Sequence, residues 1–310
     1  MLEKVLIIKL GFSETLRDDN QRTCSYGDVV RTTVLLNYFN ARKYHITWLV
    51  DQKALPILKD CPKIDRIMCW NHESTLVLQQ EHFDIVINLE KVPGTCALTN
   101  VLSGDKYGFR WDGHKGVVKS YNNADRVLDI VNKGKNTKTF WQTHLANVIR
   151  KVWKPTDRYI LAERNTSIRY DVGLNYNVGS KWKNKAWKME NWTILEKMLV
   201  EKNDLRVSWQ PSNNNPEEYM DWISSCAMVI TCDTLGMHLA LAYGKKVVAL
   251  FGPSPSSEIY MYNQGEIVLP KSDLKCIPCL KPECIQKTCC MDMISPIQVY
   301  NAVENVRKTK

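Results

Sequence analysis

Three short stretches and one cysteine cluster carry side chains of the kinds that do chemistry. The first stretch is Ser25-Tyr26-Gly27-Asp28-Val29-Val30-Arg31-Thr32-Thr33. A carboxylate at Asp28 could take a proton from a sugar hydroxyl, and Gly27 would let the backbone come close to a ligand. Asp28 could equally cap the helix it opens. The second stretch, from Gly179 to Trp187, holds Lys181, Lys183 and Lys185 just before a helix. Cations beside a helix N-terminus suit a phosphate. A solvated basic loop is the plainer alternative, but Trp182 and Trp187 weigh against it, because tryptophan is rarely spent on a free loop. The third is Cys232-Asp233-Thr234-Leu235-Gly236-Met237-His238. Asp233 and Thr234 offer an acceptor and a hydroxyl where first-turn amides can hold a diphosphate. His238 shares a face with Thr234 if one helix includes both; otherwise it is a packed core histidine.

The chain has eleven cysteines, and five of them are Cys276, Cys279, Cys284, Cys289 and Cys290. A reducing compartment argues against a disulfide framework. These five supply enough thiolates for one tetrahedral structural ion, zinc or iron. Buried free thiols are the alternative.

Alternating elements must position these groups. Val5 to Leu10 reads as a short buried strand, Val29 to Phe39 as a helix, and His45–Val50, Asp84–Leu89 and Lys106–Phe109 as further strands. The charged stretch Lys151–Asn165, with Pro155, breaks the pattern and sets a domain boundary, giving domains 1–155 and 156–310. The second half repeats the alternation, with strands at Tyr170–Asn175, Leu205–Gln210, Ala227–Thr231 and Lys246–Phe251. Helices are expected at Glu190–Lys202, Pro216–Ser225, Gly236–Tyr243 and Pro296–Arg307. The expected class is therefore α/β, as two doubly wound domains, with ligands beyond the carboxyl ends of the strands and in a cleft between the halves. The Gly11–Cys24 loop is long enough to serve as a flap on the acceptor side, or it is a plain insertion.

Composition excludes several classes. With 310 residues, 44% hydrophobic and 24% charged, the chain is neither disordered nor fibrous. No apolar run approaches the ~18 residues of a membrane span, and the N-terminus does not read as a signal peptide. A cytoplasmic protein is expected. The net charge of +9 favours anionic partners without choosing among them. No basic stripe interleaved with aromatics points to nucleic acid. Neither a dinucleotide fingerprint nor a P-loop is present.

Taken together, Gly27-Asp28-Val29-Val30-Arg31-Thr32-Thr33, Lys185-Ala186-Trp187, Asp233 to His238 and Val248-Ala249-Leu250-Phe251-Gly252-Pro253 resemble glycosyltransferase family 9, the ADP-heptose heptosyltransferases. The resemblance implies a GT-B fold, with the acceptor on the first Rossmann-like domain and the nucleotide sugar on the second. It implies that Asp28 is the general base of an inverting transfer, with Gly27 and Arg31 on the acceptor side. Lys185 would contact the donor diphosphate, and Asp233, Thr234, Gly236 and His238 would form the donor signature. The family's usual order at this signature differs: Leu235 and Gly236 are transposed, and Met237 stands where a serine is common. Gln210 is the nearest residue to the acid that many members place on the donor ribose. One branch of the family carries cysteine-bound iron, which resembles the cluster at 276–290. The chain has no Asp-x-Asp pair, so no catalytic divalent cation is expected. Glycan, glycolipid or protein hydroxyls are the acceptors implied, a lipid-linked one bringing the protein to the inner face of the cytoplasmic membrane. A different nucleotide sugar, an epimerase or a non-catalytic scaffold are the alternatives.

Overall fold

The structure is a computed structural model and describes residues 2–12, 24–121, 124–133, 138–164, 166–212 and 215–308. Most of the segment expected to form an acceptor-side flap, 13–23, lies outside the described residues. The chain divides into two units, Met1–Ala162 and Glu163–Lys310.

The first unit is built on a six-stranded sheet. Its strands are β1 (Glu3–Ile8), β2 (Tyr44–Val50), β3 (Arg66–Cys69), β4 (Ile85–Asn88), β5 (Asp105–Asp112) and β6 (Val117–Ser120), in the order β3-β2-β1-β4-β5-β6. All neighbours are parallel except β5 and β6, which form an antiparallel edge. Central β1 is apolar because it is covered on both faces: Val5, Leu6, Ile7 and Ile8 are fully buried. Each such side chain contributes about 1.5–3 kcal/mol of burial. The helices are α1 (Tyr26–Thr32), α2 (Leu55–Leu58), α3 (His72–Gln80), α4 (Pro93–Val101), α5 (Asp125–Lys133) and α6 (Trp141–Val148). Their ends follow local chemistry. Asn71 and Ser74 form a reciprocal capping box on α3, and Pro93 opens α4 where its missing N–H costs nothing.

The second unit has a five-stranded, all-parallel sheet of β7 (Tyr170–Asn175), β8 (Val207–Trp209), β9 (Cys226–Cys232), β10 (Lys246–Leu250) and β11 (Gly265–Val268), ordered β11-β10-β9-β7-β8. Its helices are α7 (Met189–Asn203), α8 (Pro216–Ser224), α9 (Leu235–Ala242) and α10 (Pro296–Lys308). Helix α7 ends at Asp204 in the left-handed conformation, and α10 packs on it.

Residues 156–162 join the first unit. Asn37 donates to the Arg158 carbonyl (2.7 Å), the Ile160 amide donates to Thr33 Oγ1 (3.0 Å), and Tyr38 bonds Asp157 (3.1 Å). These residues are therefore tied to the segment 33–38 after α1, and the first unit runs to Ala162.

Each sheet has one point where strand order reverses, between β1 and β4 in the first and between β7 and β9 in the second. Parallel sheets open a crevice for ligands at such points, beyond the strand ends. The residues there are Lys9 and Glu90 in the first unit, and Asn175, Asp233 and Thr234 in the second.

Candidate active site

In the first unit Asp28 is not the helix cap. Ser25 holds that position, with extended backbone (φ −99°, ψ 90°), and Asp28 lies in the first turn of α1. A negative charge is favoured there by the helix dipole. The carboxylate pairs with Arg31 one turn on (2.9 Å), and both side chains are largely buried, 17% and 16% exposed. The Arg31 guanidinium lies 4.4 Å from the ring centre of Trp141, on α6. Aromatic stacking and an ion pair thus fix the arginine together. Gly27 sits within α1, half-buried.

In the second unit Lys185 and Asp233 meet across 48 residues of sequence. Lys185 Nζ lies 2.6 Å from Asp233 Oδ2 and 3.2 Å from the Asp233 carbonyl. Each side chain is 14% exposed. Burial alone would raise the Asp233 carboxyl, but the charges of Lys185 and His238 and the hydroxyl of Ser254 hold it at about 2. His238, on α9, is buried beside this pair. Lys185 also faces the ring of Trp182 (5.1 Å). Its turn, Lys183–Lys185, is anchored by Trp187, which is buried edge-on against Trp192 and donates to the Ile294 carbonyl (2.8 Å).

Thr234 and Gly236 are built into a different network. Tyr219 donates to Asn175 Oδ1 (2.7 Å), and Asn175 Nδ2 donates to Thr231 Oγ1 (2.8 Å) and Thr234 Oγ1 (2.9 Å). Thr231 gives its own proton to the Cys232 carbonyl (2.8 Å), which leaves Thr234 as the donor in the 3.1 Å hydroxyl–hydroxyl contact. The Thr234 hydroxyl is therefore directed inward at the N-cap of α9. Burial pushes the Tyr219 phenol up, so it remains a donor. Gly236 lies directly against this network. A Cβ there would come within 2.5 Å of Asn175 Nδ2 and 2.7 Å of the Tyr219 oxygen. Gln210 spends its side-chain oxygen on the Asn177 amide (3.1 Å) and so fixes the loop after β7.

The cysteine-rich loop docks on the turn that carries Lys185. Buried Asn184 donates to Cys279 Sγ (3.8 Å) and the Lys281 carbonyl, its amide donates to the Pro282 carbonyl (3.2 Å), and Cys289 Sγ contacts its carbonyl (3.7 Å). Among the described residues no group of three or more His, Cys, Asp or Glu side chains is arranged to hold a metal ion. The ion-binding site expected from Cys276, Cys279, Cys284, Cys289 and Cys290 is therefore not shown, although Cys289 lies in hydrogen-bonding contact with both Cys284 and Cys290. Cys290 turns into the core, where its sulfur would crowd a side chain at Gly252, whereas Cys284 is exposed. Cys279 and Cys289 point at Asn184.

Sequence reasoning missed Asn175, Tyr219, Trp141, Glu90 and Asn184. Two of these left a trace: Asn175 and Glu90 each fall at the end of an apolar strand, where a polar residue has no packing reason to be.

The two α/β units, with candidate site residues at the strand ends, have the fold of solved GT-B glycosyltransferases. A model of glycosyltransferase family 9 (heptosyltransferase) matches residues 215–289. The lipooligosaccharide heptosyltransferase 2 of Campylobacter jejuni is 32% identical over 87 residues, 28% of this chain and 27% of that protein. The lipopolysaccharide heptosyltransferase 1 of Campylobacter coli is 20% identical over 330 residues, covering 86% of this chain and 96% of that one. Among solved structures, a glycosyltransferase family 9 protein from Veillonella parvula superposes with a TM-score of 0.68 at 19% identity, over 98% of this chain and 97% of that one. E. coli heptosyltransferase WaaC, solved with ADP-2-deoxy-2-fluoro heptose, gives 0.58 at 14% identity, over 97% and 99%. The chain thus shares its fold with heptosyltransferases of glycosyltransferase family 9, and part of its second unit matches that family's model.

Proposed function

We propose that the chain transfers a heptose from ADP-heptose to a hydroxyl of a surface glycan, with inversion. The observation that carries this reading is the Lys185–Asp233 pair, 2.6 Å apart and mostly buried at the switch point of the second sheet. A buried cation beside the N-terminus of α9 is suited to a diphosphate. Donor phosphates would compete with Asp233 for Lys185 Nζ. The freed Asp233 carboxylate would then accept from a sugar hydroxyl. Asp28 would remove the acceptor proton as the acceptor oxygen attacks the anomeric carbon. The bond from that carbon to the diphosphate breaks, and ADP leaves with the electron pair. Lys185 and the first amides of α9 would neutralise the charge that builds there. Thr234 and Gly236 would serve by holding those amides in place, through Asn175 and Tyr219. In this reading the first unit binds the acceptor, near Gly27 and Arg31, and the second binds the donor. WaaC was solved with a fluorinated analogue of ADP-heptose, which favours the same donor here.

Gln210 favours a second possibility for the nucleoside alone. It offers an amide where a carboxylate would grip a ribose, so a nucleotide other than ADP is the alternative. No helix of the described residues is long and apolar enough to cross a membrane. A lipid-linked acceptor would be met by peripheral binding, aided by the net charge of +9. The test is mass spectrometry of deacylated lipopolysaccharide inner core after incubation with ADP-heptose or with UDP- and GDP-sugars. A heptose mass increment with ADP-heptose alone is expected. Transfer from another donor overturns the donor assignment, and no transfer from any of them leaves the scaffold reading.

A further inference from the structure

Lys9 and Glu90 form an ion pair inside the first unit, 3.4 Å apart and each 1% exposed. Burying two charges is costly, and an apolar pair of the same size is often at least as stable. Stability alone is therefore a weak reason for these residues. Their place is more informative. Lys9 follows β1 and Glu90 follows β4, at the reversal point of the sheet.

From Glu90 a continuous chain of hydrogen bonds runs to Asp28. The Gly11 amide donates to Glu90 Oε1 (2.7 Å). The Gly11 carbonyl accepts from the Ser25 amide (2.6 Å), and the Ser25 carbonyl accepts from the Asp28 amide (3.0 Å). Gly11 has φ +95°, and a Cβ there would meet Cys24 Sγ and Val29 at 2.9 Å. The backbone bends tightly at this glycine, and its amide is aimed into the core at the Glu90 carboxylate. Beside it, Phe12 and Cys24 form an antiparallel bridge, and Cys24 Sγ contacts the Leu10 carbonyl (3.4 Å). The two ends of the 12–24 excursion are pinched together at Gly11, and α1 starts from that pinch.

We propose that Glu90 is a positioning residue for Asp28: by accepting from Gly11 it sets where α1 begins and so where the Asp28 carboxylate stands. Lys9 keeps the Glu90 carboxylate in place, bonding the Leu89 carbonyl (3.4 Å) as well. The assignment rests on reading Asp28 as the general base. A displacement of about 1 Å at a reacting group costs roughly a hundredfold in rate.

Replacing Glu90 alone strands a buried lysine, and that variant can fail by not folding. Two charge-free pairs avoid this: Lys9→Met with Glu90→Gln, which keeps an oxygen for the Gly11 amide, and Lys9→Met with Glu90→Leu, which removes it. Each full-length protein is assayed with ADP-heptose and deacylated inner core, beside Asp28→Asn, and hydrogen exchange is followed over residues 24–32. The Gln pair is expected to stay within about threefold of the unmodified kcat. The Leu pair is expected to lose about a hundredfold in kcat, with KM for ADP-heptose within twofold and faster exchange over 24–32. A merely structural role would affect both pairs alike or move KM too. If Asp28→Asn is inactive while the Leu pair keeps its kcat or its slow exchange, the clamp falls and the base stands. If Asp28→Asn turns over normally, the base falls and this assignment falls with it.

Discussion

Arg31 stands one helical turn after Asp28 and holds its carboxylate at 2.9 Å, with its guanidinium over the ring of Trp141. The carboxylate is thus pinned from within its own helix, and the pin is braced by a residue of α6. Charge alone would not reproduce this arrangement. Lysine can supply the cation but neither the planar fork nor the stacking. Asp28→Asn is expected to lower kcat by ~10²–10⁴-fold, the range of a lost general base, with ADP binding by calorimetry unchanged. Arg31→Lys is expected to lie between the two, at about tenfold. Equal turnover in Asp28→Asn and the unmodified protein would remove this carboxylate from the reaction.

The proposed donor side makes a different demand. Lys185→Ala deletes the ammonium that lies 2.6 Å from Asp233. A loss of ~10²–10³-fold in kcat is expected, as for other groups that stabilise a developing anion, together with weaker ADP binding. Calorimetry separates the two effects. Unchanged ADP affinity would move the diphosphate away from this lysine.

Gly236→Ala tests the packing of α9. The added methyl must displace Asn175 or Tyr219, since it would otherwise lie 2.5 Å and 2.7 Å from them. Overpacking of this kind costs about 1–3 kcal/mol, visible as a lower urea midpoint. A midpoint equal to that of the unmodified protein would mean that the network gives way freely.

His144 makes the first unit sensitive to acid. It is buried on α6, and desolvation first, then the charge of Arg126, lowers its pKa to about 4. In the unfolded chain the same group titrates near ~6.5. Its contribution is therefore fully present above that pH and is lost as pH falls towards 4, because the unfolded state takes up the proton first. The slope over this window is worth about 3 kcal/mol. Denaturant unfolding at pH 7 and pH 4.5 should differ in the unmodified protein and differ much less in His144→Gln. Parallel losses in both would assign the acid sensitivity elsewhere.

The strands that carry the site are the most legible part of the sequence. Tyr170–Asn175 alternates, with Tyr170, Val172 and Leu174 on one face, and stands between polar stretches, so its limits can be read directly. The edge strands Arg66–Cys69 and Gly265–Val268 are not legible. They are only four residues long and largely half-buried, too short for a pattern that separates a strand from a loop. The helix expected over 29–39 is α1 followed by a 3₁₀ segment, Thr33–Tyr38. The hydroxyls of Thr32 and Thr33 bond back to the carbonyls of Asp28 and Val30 and accompany the tighter turn, which hydrophobic spacing does not encode. At the site, local spacing singles out Asp28, Lys185 and Asp233. It gives no hint that Lys185 meets Asp233, because the fold alone brings residues so distant together. The same limit applies to the cysteines. Their compact spacing suggests one ion, but which of them meet is set by the fold of the loop: Cys289 contacts Cys284 and Cys290.

That loop has one further consequence. The turn presenting Lys185 is tied through Asn184 to residues 279–289, a strap from near the far end of the chain. The hold on a nucleotide would then be tuned at a distance: exchanging the strap would reset affinity while every residue of the binding signature stayed the same.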